Sequence, residues 1–233
     1  MRNGIHESCS SVVVTLLFSS MKLYLLRHGE TIQNRDGILQ GQQPGNLSKK
    51  GRGQARLIAH YLRSFTFDHT YCSDLQRTRD TLEPITAYHT TEVTYTSAIR
   101  ERSFGTFEGA VAQDYLSHVT SNQHCRLSFR PDDGESYLDL QERLRPFLKM
   151  LSETHLGENI LLCTHGGTIR AALSLLLDRP LEEMLQNRID NTSLSIVEYC
   201  PNTSERLSFV INQTPHLSKK DDLAHDAALD SKS

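Results

Sequence analysis

"LYLLRHGET", residues 23–31, changes character half-way along. Lys22 to Leu26 read as a buried strand. A cation, an imidazole, a glycine and a carboxylate then follow at once, as Arg27, His28, Gly29 and Glu30. A second stretch repeats the pattern. "NILLCTHGG", residues 159–167, runs from apolar residues into His165 and two glycines. Glycine allows a sharp turn at a strand end and leaves the backbone N–H accessible to a ligand. The planar fork of an arginine suits phosphate or carboxylate. Two His-Gly strand ends with an arginine therefore indicate an anion-handling site more than polar residues that merely satisfy the backbone. A metal centre is the rival reading. It is disfavoured because Arg27 repels a cation beside His28 and no HxH or HExxH spacing occurs. Neither a metal nor a cofactor is expected.

The chain around these stretches alternates between strand and helix patterns. Ser48 caps a helix with Ala55, Ile58, Ala59 and Leu62 at helical spacing. A strand is expected at Thr70–Ser73, a helix from Leu75 disturbed by Pro84, and a strand at Val93–Thr96. Residues 110–130 are less periodic and read as an inserted lid. A long helix at 136–152 places Tyr137, Leu140, Leu144, Phe147 and Leu151 on one face. "TIRAALSLLLD" continues the second His-Gly strand as a helix, and late strands fall at 192–198 and 207–212. Such alternation implies an α/β fold, with a mainly parallel sheet and helices on both faces. Ligands of that fold bind beyond the carboxyl ends of the strands. Neighbouring strands would bring His28 and His165 together there.

The 233 residues suffice for one sizeable α/β domain, and a net charge of -3 excludes a basic nucleic-acid surface. Positive charge for an anion must then be concentrated in a pocket. The 5 Cys are odd in number and lack CxxC spacing, which fits reduced thiols in the cytoplasm. The apolar run from Val12 to Phe18 is short for a signal peptide and preceded by one cation, Arg2. No run reaches the ~20 apolar residues of a membrane helix. The expected organisation is an N-terminal extension over 1–20, one catalytic domain over 21–213 with its lid at 110–130, and a polar, mobile tail over 214–233.

Five ordered segments carry a family resemblance: "LLRHGET", "NLSKKGRGQA", "YCSDLQRTRDT", "RERSFGTFEG" and "PDDGES", with "THGG" after them. Together they resemble the histidine phosphatase superfamily in its phosphoglycerate mutase-like branch. RHGET in place of RHGxRxP departs from the acid phosphatase and phytase pattern. The resemblance implies a three-layer αβα sandwich. It also implies that His28 is a nucleophile forming a phosphohistidine. Arg27, Arg77 and His165 would surround the phosphoryl oxygens. Asn34 and the backbone N–H of Gly166 would add donors, and Thr31 is a further substrate-binding candidate. Glu101 would be the proton donor, since a carboxylate beside a phosphate is repelled as an anion and takes up a proton more readily. Glu30 is the rival acid, although its position suits organising the turn. Arg100 and Arg102 either touch substrate or are exposed or ion-paired.

The implied function is a metal-independent phosphatase acting on a small phosphorylated metabolite, such as a sugar phosphate or a phosphoglycerate. No nucleic acid or membrane partner is expected, and a dimer is compatible with the reading. The alternatives are a cofactor-dependent phosphoglycerate mutase and a phosphoprotein phosphatase or phosphoprotein-binding member. The lid is short and holds few cations, Arg126 and Arg130, which favours hydrolysis over mutase activity. A binding-only role is disfavoured because His28, Arg27, Arg77, Glu101 and His165 are all present. Lys49, Lys50, Arg52 and Arg56 read as a solvated helix face. Arg170 reads as a helix brace, and His118, His124 and His155 as surface residues.

Overall fold

The structure, a computed structural model, describes residues 20–200 and 205–218. The extension over 1–19 and the chain beyond Ser218 lie outside the described residues. Six strands form one sheet: β1 (Met21–Arg27), β2 (His69–Ser73), β3 (Val93–Thr96), β4 (Asn159–Thr164), β5 (Leu194–Cys200) and β6 (Glu205–Gln213). Their order is β3-β2-β4-β1-β5-β6. The first four in that order are mutually parallel, whereas β5 pairs antiparallel with β1 and with β6. The mainly parallel sheet thus has an antiparallel margin. The connection from β5 to β6 is too short for the crossover that a parallel partner needs.

Seven helices lie among the described residues: α1 (Ile32–Asp36), α2 (Lys49–Leu62), α3 (Gln76–Thr86), α4 (Ala112–Ser121), α5 (Tyr137–Thr154), α6 (Gly166–Leu177) and α7 (Leu181–Met184). Successive residues of β1 face opposite layers. Leu23 and Leu25 join Leu140, Leu144 and Leu151 of α5 and Ile169 and Leu173 of α6. Tyr24 and Leu26 join Ile58 and Leu62 of α2 and Leu82 and Ile85 of α3. The near-continuous apolar character of β1 follows from burial on both sides. Each Leu or Ile so withdrawn from water contributes roughly 1.5–3 kcal/mol. The result is a three-layer αβα sandwich, the architecture that the resemblance implies.

Local chemistry sets the helix starts. Ser48 Oγ accepts the Gly51 N–H at 2.9 Å. Ser136 and Asp139 form a reciprocal capping box at the start of α5. Pro84 stands inside α3 and does not end it; the helix runs on to Thr86. At the first motif, backbone meets backbone. A Cβ on Gly29 would lie 2.7 Å from Gly51 O, and one on Gly51 would lie 1.9 Å from Glu30 O.

Three expectations change. The lid contains a regular helix, α4, anchored by buried Tyr115 and Val119 one turn apart. Its first residues are tied to the loop after α1, where Leu39 N–H donates to Ala110 O at 2.9 Å. The polar tail expected from Thr214 begins as a packed 3-10 turn, Pro215–Leu217, with His216 buried. His155 is not a free surface residue. Its ring lies between the Tyr71 hydroxyl at 2.8 Å and the Glu158 carboxylate at 2.6 Å. Cys72, Cys125 and Cys163 are free thiols. Among the described residues no helix is long and apolar enough to cross a membrane.

Candidate active site

Parallel pairing of β1 with β4 aligns Arg27 with Thr164. The next residue of each strand is therefore a histidine, and the His28 and His165 rings lie 5.2 Å apart between centroids. The two strands feed helices on opposite layers of the sheet, α2 on one side and α6 on the other. A crevice opens where such connections diverge.

His28 is buried, and its Nδ1 lies 2.8 Å from Gly29 O. A carbonyl only accepts, so Nδ1 carries the proton and Nε2 keeps its lone pair. Burial, then the charges of Arg77 and Arg27, hold its pKa well below the usual histidine range. The imidazole is neutral at physiological pH. Gly29 N–H donates to Thr81 Oγ1 at 2.9 Å, which fixes the turn.

Two guanidinium groups flank this ring. Arg77 is 1% exposed, deep for a charged side chain. Its Nη1 and Nη2 donate to Gln43 O and Gly41 O at 3.1 and 2.7 Å, and its Nε donates to His165 Nδ1 at 3.1 Å. Arg27 Nη1 donates to Ile189 O at 2.6 Å, while its buried Nε has no partner among the described residues. Burial lowers both arginines to about 10, a change opposed by the Glu101 charge. Both stay protonated near neutrality. A buried N–H donor without an acceptor is costly, and an anion in the crevice would remove that cost.

Glu101 reaches the same crevice from the segment after β3. Its Oε2 accepts the Gly167 N–H and its Oε1 the Arg102 N–H, both at 2.9 Å. A Cβ at Gly167 would lie 2.3 Å from Glu101 Oε1, so glycine there leaves room for the carboxylate in this position. Gly166, the first residue of α6, has no earlier turn to bond to, which leaves its N–H open. Asn34 enters from α1. Asn191 Nδ2 donates to both His28 O and Asn34 Oδ1 at 3.1 Å. That bond, with one from the Thr31 N–H at 3.3 Å, fixes the Asn34 oxygen as the acceptor.

The structure therefore brings Arg27, His28, Asn34, Arg77, Glu101, His165 and Gly166 together. It does not bring Thr31, Arg100 or Arg102. Thr31 is fully buried, and its hydroxyl is committed twice. It accepts the Asn34 N–H as the cap of α1 and donates to Gln40 Oε1 at 2.7 Å. Arg100 takes the ion-paired option, with two bonds of 2.6 Å to Asp74. Arg102 is neither exposed nor ion-paired. It is buried between the rings of Phe104 and Tyr137, with Nη2 on the Tyr115 hydroxyl at 3.0 Å. Glu30 points away, held by Ser48 Oγ and Lys50 Nζ at 2.8 Å each. Arg170 braces α6 through Asn187 O at 2.8 Å.

Several contributors escape a reading of the sequence alone. Ser73, at the end of β2, lies 2.9 Å from His165 Nε2. The loop 41–43 receives Arg77 through main-chain carbonyls, which no side-chain pattern reveals. Asn191 lies far from the motifs in sequence. Ser73 was within a recognised segment, so its strand-end position was an available signal.

A model of the histidine phosphatase superfamily (branch 1) matches residues 23–212. A broad-specificity phosphatase of Saccharomyces cerevisiae is 31% identical over 90% of this chain and 93% of its own length. A protein of Salmonella arizonae carrying the name Probable phosphoglycerate mutase GpmB is 33% identical over 77% of this chain and 85% of its own. The alpha-ribazole phosphatase of Shigella flexneri superposes with a TM-score of 0.73 at 29% identity, covering 83% of this chain and 96% of that one. The match spans both His-Gly strand ends and everything between them. On that breadth, the chain belongs to the histidine phosphatase superfamily (branch 1) and is a phosphoric monoester hydrolase of it.

Proposed function

We propose that the protein hydrolyses small phosphomonoesters, sugar phosphates or phosphoglycerates among them, by way of a phosphohistidine on His28 and without a metal ion. The observation that carries this reading is the His28 ring. Its Nδ1 proton is held by Gly29 O, leaving the Nε2 lone pair beside two buried guanidinium groups. A neutral nucleophile in a cationic nest suits attack on a phosphate dianion.

In the first half-reaction Nε2 of His28 attacks phosphorus and the P–O bond to the alcohol breaks. Glu101 enters as the carboxylic acid and gives its proton to the departing oxygen. Each of its oxygens accepts one backbone N–H and retains a second lone pair for this exchange. The Arg27 and Arg77 guanidinium groups stabilise the equatorial oxygens, with the Asn34 amide and the Gly166 N–H; the Nε2–H of His165 joins them by exchanging its Ser73 Oγ partner for a phosphoryl oxygen. In the second half-reaction Glu101 takes a proton from water. Water oxygen bonds to phosphorus, and His28 is released with inorganic phosphate.

The reaction belongs to a domain spanning 21–213, with the lid over 110–130 selecting the alcohol. A small phosphorylated metabolite in the cytoplasm is the fitting substrate. Hydrolysis is preferred over mutase activity because cations are few in the lid. The test is a panel of phosphomonoesters assayed with EDTA, with and without 2,3-bisphosphoglycerate. Phosphate release in EDTA, and acid-labile phosphate on the wild type but not on His28→Ala, is the expected result. Loss of turnover in EDTA, or unchanged turnover of His28→Ala, sinks the mechanism. Interconversion of 2- and 3-phosphoglycerate without phosphate release would assign a mutase.

A further inference from the structure

We infer that Arg143, acting through Glu135, is the positioning residue that holds the Glu101 carboxylate in place for proton transfer. The inference rests on the reading of Glu101 as the acid. Glu101 stands on an irregular segment between two 3-10 turns, Ser97–Ile99 and Gly105–Phe107. The segment belongs to no strand, so its carbonyls have no ladder partners, and buried carbonyls must be satisfied elsewhere.

One guanidinium supplies most of what is missing. Arg143 Nη1 donates to Ala98 O at 2.9 Å, Arg100 O at 3.1 Å and Ser97 O at 3.3 Å. Its Nη2 reaches the carbonyl of Glu101 itself at 3.3 Å. The opposite edge of the group grips Glu135 in a two-point pair, with both bonds at 2.8 Å. The Glu135 carboxylate in turn accepts the Ser103 N–H at 3.0 Å, and its main chain pairs with Ser103 and Arg102. Arg143 therefore holds the segment before the acid and Glu135 the segment after it.

The clamp stands on a rigid base. Arg143 projects from the second turn of α5, whose Leu140 and Leu144 are fully buried against the sheet. Glu135 immediately precedes Ser136, the cap of the same helix. Burial opposes ionisation of Glu135, but the bonds from Arg143 and Ser103 hold its pKa below the ordinary range. The pair is thus a charged, two-point contact, geometry that a lysine cannot reproduce. From the other side, Thr164 Oγ1 holds Ile99 O at 2.6 Å and Thr168 Oγ1 holds Arg100 O at 2.8 Å. Arg143 makes no hydrogen bond to either histidine, although its charge is felt at His165, and its contact with the acid is through the backbone of Glu101.

Leaving-group dependence separates this role from general support of the fold. A nitrophenolate departs without a proton, whereas phenolate and alkoxide need one. Arg143→Lys and Glu135→Gln are compared with wild type on p-nitrophenyl phosphate and on phenyl phosphate, with Glu101→Gln as reference. We expect kcat on phenyl phosphate to fall about 100-fold in Arg143→Lys, as loss of general-acid action predicts, and kcat on p-nitrophenyl phosphate by less than about threefold. Glu135→Gln should fall in the same sense, and in the Glu101→Gln background Arg143→Lys should add no leaving-group effect. Equal losses on both substrates overturn the inference while leaving Glu101 as the acid. Absence of a leaving-group effect in Glu101→Gln itself overturns the reading of Glu101 and the inference with it. Glu135→Gln keeps the volume of the side chain and carries the test if Arg143→Lys does not fold.

Discussion

Arg77 Nε donates to His165 Nδ1 at 3.1 Å, and that one bond decides where the imidazole proton sits. A guanidinium has no acceptor, so Nδ1 must be the lone pair and Nε2 the N–H. The Nε2–H then lies on Ser73 Oγ at 2.9 Å. Burial, followed by the charges of Arg77, Arg27 and Arg143, pushes the His165 pKa well below its usual value. His165 is held neutral, with its donor end chosen by an arginine.

Arg77→Lys should therefore damage the site twice. It removes one phosphoryl donor and releases the His165 tautomer. We expect kcat/KM on phenyl phosphate to fall by about 10²–10³, the range for a lost transition-state donor. Nitrogen-15 chemical shifts of His165 should change from a fixed Nε2–H form to a mixture. An unchanged tautomer, or activity near wild type, contradicts this account.

Gly167→Ala should separate stability from turnover. Alanine favours a helix over glycine by about 1 kcal/mol, so the melting temperature should hold or rise. The added methyl group meets Glu101 Oε1 at 2.3 Å and must displace the carboxylate. Activity on phenyl phosphate should fall by about 10² or more, the contribution of a placed general acid. Thermal melts and steady-state kinetics on the same preparation check both halves.

Glu30→Gln tests the rejected acid. Glu30 holds Ser48 and Lys50, and Lys50 is largely exposed, so the ion pair itself contributes little. Stability should fall by about 1 kcal/mol, mainly through the helix start, with kcat within about threefold of wild type. A loss of kcat that is larger with poor leaving groups would move the acid from Glu101 to Glu30.

Acid should destabilise the fold through buried imidazoles. Burial pushes His216 down to about 4, and His28 and His165 are lowered as well. The unfolded chain takes up these protons near its ordinary value of about 6.5, whereas the folded chain resists. Stability is therefore fully present above that value and is lost as pH falls from about 6.5 towards 4. His216 alone contributes a decline of about 3 kcal/mol over that window. Melting temperatures across it should fall less steeply for His216→Gln than for wild type. Parallel slopes would refute the assignment.

The parts of the molecule that repeat a pattern were readable from the sequence. The two apolar-to-His-Gly strands, the Ser48 cap and the single apolar face of α5 each announce themselves locally. What was not readable depends on distant partners. Arg100 and Arg102 flank Glu101 symmetrically in "RER", yet one meets Asp74 and the other an aromatic cage from Phe104, Tyr115 and Tyr137. Thr31 is a substrate-binding candidate by sequence, but its hydroxyl caps α1 and bonds Gln40 Oε1, a partner nine residues on. Helix α4 buries only Tyr115 and Val119, too few positions to show a period. The main-chain carbonyls of Gly41 and Gln43 have no signature at all.

The contact between Gly29 and Gly51 constrains how such an enzyme changes over generations. The floor of the crevice is main chain laid on main chain, with no room for a methyl group on either side. Neither position can drift alone, and no side chain there is available for adjustment. Val111 and Leu116 of the 110–130 segment, by contrast, are exposed, and a change of side chain there meets solvent instead of main chain.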